Sequence, residues 1–554
     1  MTKTDNFTDI KPKNRVIRYF HNGHEHIRGV FGLQGRLPGM KRFAVLLFAA
    51  VLVFSFSARA AGNGEHVSFT VNGTHTNTDM NYTNDALYAF MADKFDFDFR
   101  VEPVSKDGQT ERIRMWINSR AMPDVVTWRG FAYQEYVDFA RAGLLAPLPE
   151  DWTTRYPNLY EQMIGCMGEE QFRKFEIDGR FYGIAHARNY RYNPVDTPVD
   201  HVSVYYRKDW ATALGMDIGP VITIDELETY LRLCLERDFA GNGSTIGFSE
   251  DPSRLATFFC MQADVDWQKF YKAENGYAWG FANETVRDAA ALANRWYREG
   301  LIDPDFYLQQ SAETIANFTT GQSAAMFGNC QASSYLGYKQ SFDEATGLDS
   351  DTCVGITTIA GTDGVTRAIE TLNWWSVSLF SPETEPEVLD RILTAMDYCA
   401  TQEGEIVTNM GIPGKDWEYD GAGNVQTLMP QKEDGSYPNI VDLYNSYNVF
   451  RTWGLNADDF LYVNPTYDKA IIIDPILDFY RFRPEGKVIP LDVDYEFFSS
   501  ENKARYSLAL EDEFARLVIG DAETLEQDWL DYIESEQKIW QPVIDDLNAA
   551  FFGG

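Results

Sequence analysis

Cysteine is scarce in this sequence, and its positions form no familiar metal or redox motif. Six cysteines are scattered over 554 residues. There is no CxxC pair and no cysteine–histidine cluster, which excludes a zinc site or a redox pair of the usual spacing. The sequence also has no nucleophile elbow, HExxH motif or P-loop. A chain of this length does not need disulfides to be stable, so we expect most of the cysteines to be buried thiols.

Positive charge is also scarce. The 48 lysines and arginines stand against 83 aspartates and glutamates, which gives a formal net charge of −35. Because nucleic acids and anionic membranes bind through clustered Lys and Arg, this balance argues against both as partners. Aromatic residues, by contrast, make up 14% of the chain. Aromatic side chains beyond those that a core needs often serve as flat binding surfaces.

An apolar run near the N-terminus indicates export. Lys41 and Arg42 precede an almost purely apolar stretch over residues 43–56, and small residues follow at 58 and 60. This pattern is typical of a secretory signal peptide with cleavage before Ala61. The run is shorter than a membrane-spanning helix needs, although a transmembrane anchor is the alternative.

The sequence therefore predicts two N-terminal parts that do not belong to the fold. Residues 1–39 are expected to be a non-native N-terminal extension and residues 40–60 the signal peptide. No cysteine lies near the cleavage point, so no lipid anchor is expected. We expect the protein to be exported, to the periplasm or the extracellular space.

Alternating strands and helices after residue 61 predict an α/β fold with a parallel sheet. The first strands are expected at 66–71, 97–104 and 124–128, with helices at 85–94 and 110–118 between them. Further helices are expected at 223–235, 283–299, 387–399 and 525–550. In such sheets the ligand lies beyond the carboxyl ends of the strands, which directs attention to the residues there.

Several short motifs, in a fixed order along almost the whole mature chain, carry a family resemblance. They are Pro-Asp-Val-Val at 123–126, Gly-Leu-Leu-Ala-Pro-Leu at 143–148, Asp-Gly-Arg-Phe-Tyr-Gly at 178–183, Tyr-Arg-Lys-Asp-Trp at 206–210, the run Tyr-Arg-Glu-Gly-Leu-Ile-Asp-Pro-Asp-Phe at 297–306, Gly-Gln-Ser-Ala-Ala-Met at 321–326 and Gly-Ile-Pro-Gly-Lys-Asp-Trp at 411–417. Together they resemble the extracellular solute-binding proteins of carbohydrate ABC importers, family 1 type, in their longer subgroup.

The resemblance implies a periplasmic-binding-protein-like fold. Two α/β lobes would enclose a ligand cleft and be joined by several crossing hinge strands. Crossings are expected near 184–206, 321–329 and 373–379. Lobe 1 would then comprise 61–200 and a return at 324–375. Lobe 2 would comprise 201–323 and 376–554 with the C-terminal helices.

Sugars offer apolar faces and hydroxyl groups, so aromatic rings and planar polar groups are the side chains expected to bind them. Trp128 and Arg129 follow a strand end, and Asn329 and Gln331 follow another. Trp374 and Trp375 are adjacent on a predicted strand, so one should face the cleft and the other the core. The remaining candidates are Asn72, His75, His186, Arg188 and Trp453.

A loop that resembles an EF-hand calcium site in relatives is degenerate here. Asp238 and Asn242 keep two oxygen donors, but the acidic pair expected before Gly247 is missing and Glu250 is displaced. Calcium needs six or more oxygens, so the sequence favours a loop without calcium. No metal and no organic cofactor are expected.

The sequence thus predicts a monomeric, non-enzymatic receptor. It would capture a sugar or oligosaccharide and deliver it to the membrane permease of an ABC importer, without binding nucleic acid. Three alternatives stay open: a non-sugar ligand on the same fold, input to a sensor, and a secreted glycoside hydrolase working through two carboxylates.

Overall fold

Two five-stranded sheets organise the part of the chain that the structure describes. This computed structural model describes residues 65–73, 76, 79–104, 108–188, 191, 198–432, 435–454 and 460–553. All of them belong to one unit, Asn63–Gly554. The predicted signal peptide and extension lie outside the described residues. Among the described residues, no helix combines the length and the apolar character needed to cross a membrane.

The strands are, in chain order, β1 Val67–Val71, β2 Phe97–Val101, β3 Val125–Trp128, β4 Gly183–Ala187, β5 Val202–Arg207, β6 Val221–Thr223, β7 Ile246–Phe248, β8 Phe270–Ala273, β9 Gly276–Trp279, β10 Ser323–Asn329, β11 Val354–Ala360, β12 Arg367–Ile369, β13 Trp374–Phe380, β14 Trp417–Tyr419, β15 Val425–Thr427 and β16 Lys487–Ile489.

The longer α-helices are Ala86–Phe95, Gln109–Asn118, Tyr133–Arg141, Pro157–Lys174, Ile224–Arg237, Pro252–Cys260, Glu284–Arg298, Ser311–Thr319, Ala332–Thr346, Pro386–Cys399, Gln402–Met410, Asp474–Phe482, Leu510–Ile519, Leu525–Ser535 and Gln537–Phe551. Shorter helices include Trp152–Arg155, Lys208–Leu214, Ser350–Cys353, Ile440–Leu443, Tyr447–Phe450, Val493–Glu496 and Glu501–Arg505.

Local sequence signals set the ends of several helices. The Asp85 side chain accepts a hydrogen bond from the Tyr88 N–H and begins the helix Ala86–Phe95. At the start of the helix Ile224–Arg237, Thr223 Oγ1 accepts from the Glu226 N–H at 3.2 Å, and Glu226 Oε2 accepts from the Thr223 N–H at 2.8 Å. This reciprocal capping box satisfies two N–H groups that a helix leaves without partners.

Lobe 1 is built on the sheet with strand order β2-β1-β3-β13-β4. β1 pairs in parallel with β2 and β3, and β13 runs antiparallel between β3 and β4. Its core is rich in aromatic residues and includes the helices Pro157–Lys174 and Pro386–Cys399. The parallel part agrees with the α/β alternation predicted from the sequence.

Lobe 2 is built on the sheet with strand order β6-β11-β5-β10-β7. The central strand β5 runs antiparallel to both β10 and β11. Successive residues of β10 point to opposite faces: Phe327 enters the larger core, and Met326 enters a smaller core on the other face. Helices close both faces, and the C-terminal helices from Leu510 onward belong to the larger core.

The chain crosses between the lobes at three places. The first crossing lies between β4 and β5, the second between β11 and β13, and the third between Trp453 in the lobe 1 core and Leu461 in a lobe 2 core. The first and second crossings lie near two of the three predicted ones.

The expected lobe boundaries after residue 323 are wrong. β10 and β11 pair with β5, so residues 324–360 remain in lobe 2 and no crossing occurs at 321–329. The chain instead returns to lobe 1 at β13 and remains there through Trp453. The error arose because a short apolar strand does not show in its sequence which sheet it joins.

Arg483 ties the crossings together. Its guanidinium donates to the Asp200 carboxylate at 2.6 Å, to the Val202 carbonyl at 2.7 Å and, through Nε, to the Arg367 carbonyl at 2.7 Å. Asp200 and Val202 belong to the first crossing, and Arg367 to the second. The side chain is fully buried, so this charge is compensated by an ion pair and by hydrogen bonds.

A short stretch near the C-terminus, residues 493–498, contacts both lobes, and we call it the bridging segment. Phe497 belongs to the lobe 1 core, where its ring centroid lies 5.2 Å from that of Tyr133. The Asp494 carboxylate pairs with Lys174 of lobe 1 at 3.3 Å and with Lys272 of lobe 2 at 2.6 Å. The bridging segment therefore links the lobes in addition to the three crossings.

All six cysteines are buried thiols, and none forms a disulfide. This agrees with the expectation for most of them and extends it to the full set. The predicted helix at 525–550 is in fact two helices, because regular structure is interrupted at Glu536 between Ser535 and Gln537.

Candidate ligand-binding site

A cavity of about 450 Å³ lies between the two lobes. This volume is within the range of small-molecule sites. Its walls are mostly polar and aromatic, and both lobes contribute. Lobe 1 contributes Arg129, Arg188, Thr371, Leu372, Trp374, Trp375, Asn409, Asn439, Ile440, Val441, Tyr447 and Arg451; lobe 2 contributes His201, Lys269, Asn329, Gln331, Ser333, Asn464 and Tyr467.

The two adjacent tryptophans of β13 have different surroundings. The Trp374 ring packs in the core within 5.6 Å, centroid to centroid, of Phe131 and Phe175, and the buried side chain also lines the cavity. Trp375 is partly exposed and lines the cavity, with the Arg129 guanidinium 5.5 Å from its ring centroid. Trp375 is therefore the tryptophan that offers a ring face to a ligand.

Three arginines lie on the lobe 1 wall. Arg129 follows β3, Arg188 follows β4, and Arg451 follows the short helix Tyr447–Phe450. Partial desolvation lowers the pKa of Arg129, and the positive charge of Arg451 lowers it further. Two cations are thus close enough to repel one another across this wall.

The lobe 2 wall is made mainly of amides and hydroxyls. The Asn329 amide is held by its neighbour Gln331, since Asn329 Nδ2 donates to Gln331 Oε1 at 3.0 Å and Asn329 Oδ1 accepts from the Gln331 N–H at 2.8 Å. Both residues line the cavity, but this mutual pairing orients Asn329 and occupies part of its hydrogen-bonding capacity. From the sequence, Asn329 and Gln331 are each predicted to be a ligand contact, and their pairing with one another is not.

Two of the predicted tryptophans lie in the core instead of the cavity. Trp128 is fully buried and packs against Phe131 and Phe139. Trp453 is also fully buried, with its ring centroid 5.5 Å from that of Phe450. Because core atoms cover both rings, neither offers a stacking face to a ligand in this conformation, which corrects the expectation for both residues.

Asn72 and His186 stabilise the sheet and do not line the cavity. Asn72 Oδ1 accepts from the Thr127 N–H at 2.6 Å and so ties β1 to β3. His186 Nε2 lies 2.8 Å from Ser378 Oγ between β4 and β13. Burial lowers the pKa of His186 to about 3, so the imidazole is neutral. His75 lies outside the described residues.

Sequence reasoning missed the lining residues that do not follow a strand. Asn439, Tyr447 and Arg451 come from irregular chain and two short helices of lobe 1, and Tyr467 comes from the stretch after the third crossing. A search for residues that follow the ends of strands cannot find such positions. The dense run of Asn and Tyr over residues 437–451 is the one signal in the sequence that distinguishes this stretch.

The degenerate EF-hand-like loop is closed by hydrogen bonds. Asp238 Oδ2 accepts from the Gly243 N–H at 2.7 Å, and Asp238 Oδ1 accepts from the Thr245 hydroxyl at 2.9 Å. Glu250 is fully buried and accepts from the Phe327 N–H. Both Asp238 oxygens thus already accept hydrogen bonds from within the loop, and the described residues contain no cluster of three His, Cys, Asp or Glu suited to a metal.

Solved structures with the same architecture are solute-binding proteins. The alginate-binding protein AlgQ2, solved without calcium, superposes with a TM-score of 0.64 at 15% identity, over 88% of this chain and 98% of that one. The substrate-binding protein FusA of an ABC transporter from S. pneumoniae, in complex with kestose, gives 0.59 at 15% identity, over 88% and 97%. The N-glycan transport protein NgtS from Streptococcus pneumoniae gives 0.56 at 13% identity, over 87% and 97%.

These likenesses confirm the fold expected from the motifs. The chain has the two-lobed, periplasmic-binding-protein-like fold, and its structural neighbours include an alginate-binding protein, an ABC-transporter substrate-binding protein and an N-glycan transport protein. By sequence it is 23% identical over 260 residues to Lipoprotein LipO of Bacillus subtilis, and the match spans about half of that relative, 49% of its length. No family model matches the chain.

Proposed function

We propose that this protein is an exported receptor that captures a sugar or oligosaccharide between its lobes and delivers it to the permease of an ABC importer. The observation that carries the proposal is the interlobe cavity, where Trp375 presents a partly exposed ring beside amide and hydroxyl side chains from both lobes. An aromatic face with planar polar groups around it suits the C–H faces and hydroxyls of a sugar. The sugar-binding neighbours of the same fold support this choice.

The walls of the cavity favour binding over hydrolysis. Hydrolysis of a glycosidic bond needs two carboxyl groups beside the bond. Among the described residues that line the cavity there is no aspartate or glutamate, so a hydrolase would have to work elsewhere. The described lining therefore supports binding and offers no carboxylate pair for the enzymatic alternative.

The position of the cavity explains how binding would be signalled. Side chains from both lobes line it, so a ligand that contacts both stabilises the closed arrangement over the open one. A permease that recognises only the closed arrangement would accept only the loaded receptor. The export part of the proposal rests on the signal-peptide pattern at 40–60, and the lipoprotein relative leaves membrane anchoring as an alternative mode of retention.

The test is a thermal-shift and calorimetry screen of the protein against neutral and acidic mono- and oligosaccharides, with peptides included. A ligand at about a hundred times its Kd stabilises by about 2.7 kcal/mol, which raises the Tm by a few degrees. We expect one sugar class to give this shift and to be recovered intact by chromatography. A shift with peptides alone would refute the sugar ligand, and cleavage of the sugar would refute the non-enzymatic function.

A further inference from the structure

Among the described residues, the charged side chains that line the cavity have the opposite sign to the net charge of the chain. The chain carries a formal net charge of −35, yet among the described residues that line the cavity the charged side chains are three arginines and one lysine. A surface drawn at random from so acidic a protein would contain several carboxylates. Cations concentrated in a cavity raise the local concentration of anions there, whatever the net charge of the molecule.

The lysine does not add to this charge. Lys269 Nζ lies 2.6 Å from a Glu496 carboxylate oxygen and 3.5 Å from an Asp266 oxygen, so its charge is compensated within lobe 2. Nearby on the lobe 1 side, the buried carboxylate of Glu405 lies 3.4 Å from Arg191 Nε. Among the described lining residues, the other cationic side chains are the three lobe 1 arginines, Arg129, Arg188 and Arg451.

Arg188 is built into the wall with part of its guanidinium unused. The side chain is 7% exposed, and Nη1 donates to the Thr371 hydroxyl at 3.0 Å. Its Nη2 is buried and has no hydrogen-bond partner. A buried donor without a partner costs free energy, more so when it is charged. A ligand oxygen at this position would remove that cost.

Arg129 and Arg451 stand on the same wall. Desolvation lowers the pKa of Arg129, and the positive charge of Arg451 lowers it further. The Arg129 guanidinium lies 5.5 Å from the ring centroid of Trp375, and that of Arg451 lies 5.4 Å from the ring centroid of Tyr447. Such cation–π contacts hold the planar guanidinium groups in place. An anion bound between the arginines would relieve the repulsion.

From these observations we propose that the ligand is an acidic sugar, whose carboxylate or sulfate group binds at an anion subsite formed by Arg129, Arg188 and Arg451. Guanidinium groups bind such oxyanions through paired, charge-assisted hydrogen bonds. The neutral amides of the lobe 2 wall bind the hydroxyls of the same ligand, and Trp375 stacks on its ring. This inference rests on the proposed function and narrows it to one class of substrate.

The test compares matched ligands on the full chain by titration calorimetry. Trigalacturonate and trimannuronate are measured beside their carboxyl-reduced trisaccharides, beside a sulfated trisaccharide, and beside citrate as an acid that is not a sugar. The variants are Arg188→Gln and Arg451→Gln. Arg505→Gln is the matched control, because Arg505 is exposed and pairs only with Glu501 in the described structure. The same charge is thus lost at a residue that does not line the cavity.

We expect one acidic trisaccharide to bind, its neutral counterpart to bind at least about tenfold more weakly, and the affinity of the acidic one to fall with added salt. Arg188→Gln and Arg451→Gln should each weaken the acidic ligand by about ten- to a hundredfold, the effect of losing a charge-assisted hydrogen bond. Arg505→Gln should bind as the unmodified protein does. Whether the uronates or the sulfated sugar bind identifies the anionic group.

Several results would overturn the inference. If neutral trisaccharides bind as tightly as acidic ones, or if the two variants behave like Arg505→Gln, the anion subsite is wrong while the proposed function stands. If citrate binds and no sugar does, the sugar ligand itself is wrong, and if nothing binds, both proposals fall. Circular dichroism melts distinguish these results from misfolding of the buried Arg188→Gln, and the partly exposed Arg451→Gln provides the second variant.

Discussion

Trp374 and Trp375 should respond in opposite ways to the same substitution, because Trp374 is buried in the lobe 1 core and Trp375 is partly exposed on the cavity wall. We expect Trp375→Ala to weaken ligand binding and to change stability little. We expect Trp374→Ala to destabilise lobe 1 strongly. Two substitutions of identical chemistry, one residue apart, thus separate a ligand contact from a core contact.

The magnitudes follow from the surroundings of each ring. Trp374 is 5% exposed, has aromatic neighbours in Phe131 and Phe175, and donates from Nε1 to Gln171 Oε1 at 3.2 Å. Removing a buried tryptophan of this kind costs about 3–5 kcal/mol of unfolding free energy. Trp375 loses only a stacking face and a cation–π contact, about 1–1.5 kcal/mol of binding free energy, or roughly tenfold in Kd.

The assay pairs urea unfolding with calorimetric titration of whichever sugar the screen identifies. Because proteins with more than one folded unit often do not unfold in a single two-state step, tryptophan fluorescence and far-UV circular dichroism should be followed together. Trp374→Phe is the control, since it keeps a ring in the core and should recover part of the lost stability. The reasoning is refuted if Trp375→Ala is the variant that unfolds early, or if Trp374→Ala binds tenfold more weakly at undiminished stability.

Three further predictions concern buried titratable groups. Burial holds the pKa of Glu250 well above its usual range, so its contribution to stability is complete below about pH 4.5 and is lost as the pH rises. Above that pH, the unfolding free energy of Glu250→Gln should increase relative to that of the unmodified protein by up to about 1.4 kcal/mol per pH unit. A difference in urea melts that does not change with pH would contradict this. Burial lowers the pKa of His186 to about 3, so its contribution to stability is complete above about pH 6.5 and falls as the pH drops towards 3. His186→Gln should therefore lose less stability on acidification than the unmodified protein does. An equal loss of stability in both proteins from pH 7 to pH 4 would argue against this. Burial raises the pKa of the Cys166 thiol to about 12, and all six thiols are buried. A thiol reagent should therefore label none of them within minutes in the native protein and all six in urea. Fast labelling of the native protein would show that the cores open.

Local signals predicted much of the fold. The capping residues Asp85 and Thr223 begin helices where expected, and the strands around Val67–Val71 and Val125–Trp128 lie within a residue or two of their predicted bounds. Such features depend on hydrogen bonds between residues close in sequence. The order of motifs along the chain supplied the two-lobed architecture.

Long-range pairing could not be predicted in the same way. β10 was expected to return to lobe 1, but it pairs with β5, more than a hundred residues earlier in the chain. Nothing within a short apolar strand specifies its partner. The same limit applies to the site: Trp128 and Trp375 are both tryptophans at strand ends, and only the packing around them shows that the first is a core residue.

Six of the predicted residues line the cavity. Arg129, Asn329 and Gln331 were selected because they follow strand ends, whereas Arg188, Trp374 and Trp375 were selected from the expected crossings. Neither criterion applies to irregular chain, so neither could select Tyr447 and Arg451. The net charge of the chain also does not reveal that the described lining contains three arginines and no carboxylate.

The bridging segment restricts how the lobes can separate. Phe497 is inserted into the lobe 1 core, while Glu496, one residue earlier, is paired with Lys269 on lobe 2. On this side the distance between the lobes is fixed by a residue or two of chain. The segment lies beside the second crossing, since the Phe497 ring centroid is 6.5 Å from that of Trp374, the first residue of β13, and the Leu491 N–H donates to the Glu370 carboxylate at 3.0 Å. Both connections therefore restrain the lobes on the same side. Opening is therefore a hinge rotation about the side of the bridging segment, with the largest displacement at the opposite edge of the cleft. A ligand would enter and leave there, and a permease that measures closure would gain most by contacting the two lobe surfaces farthest from Phe497.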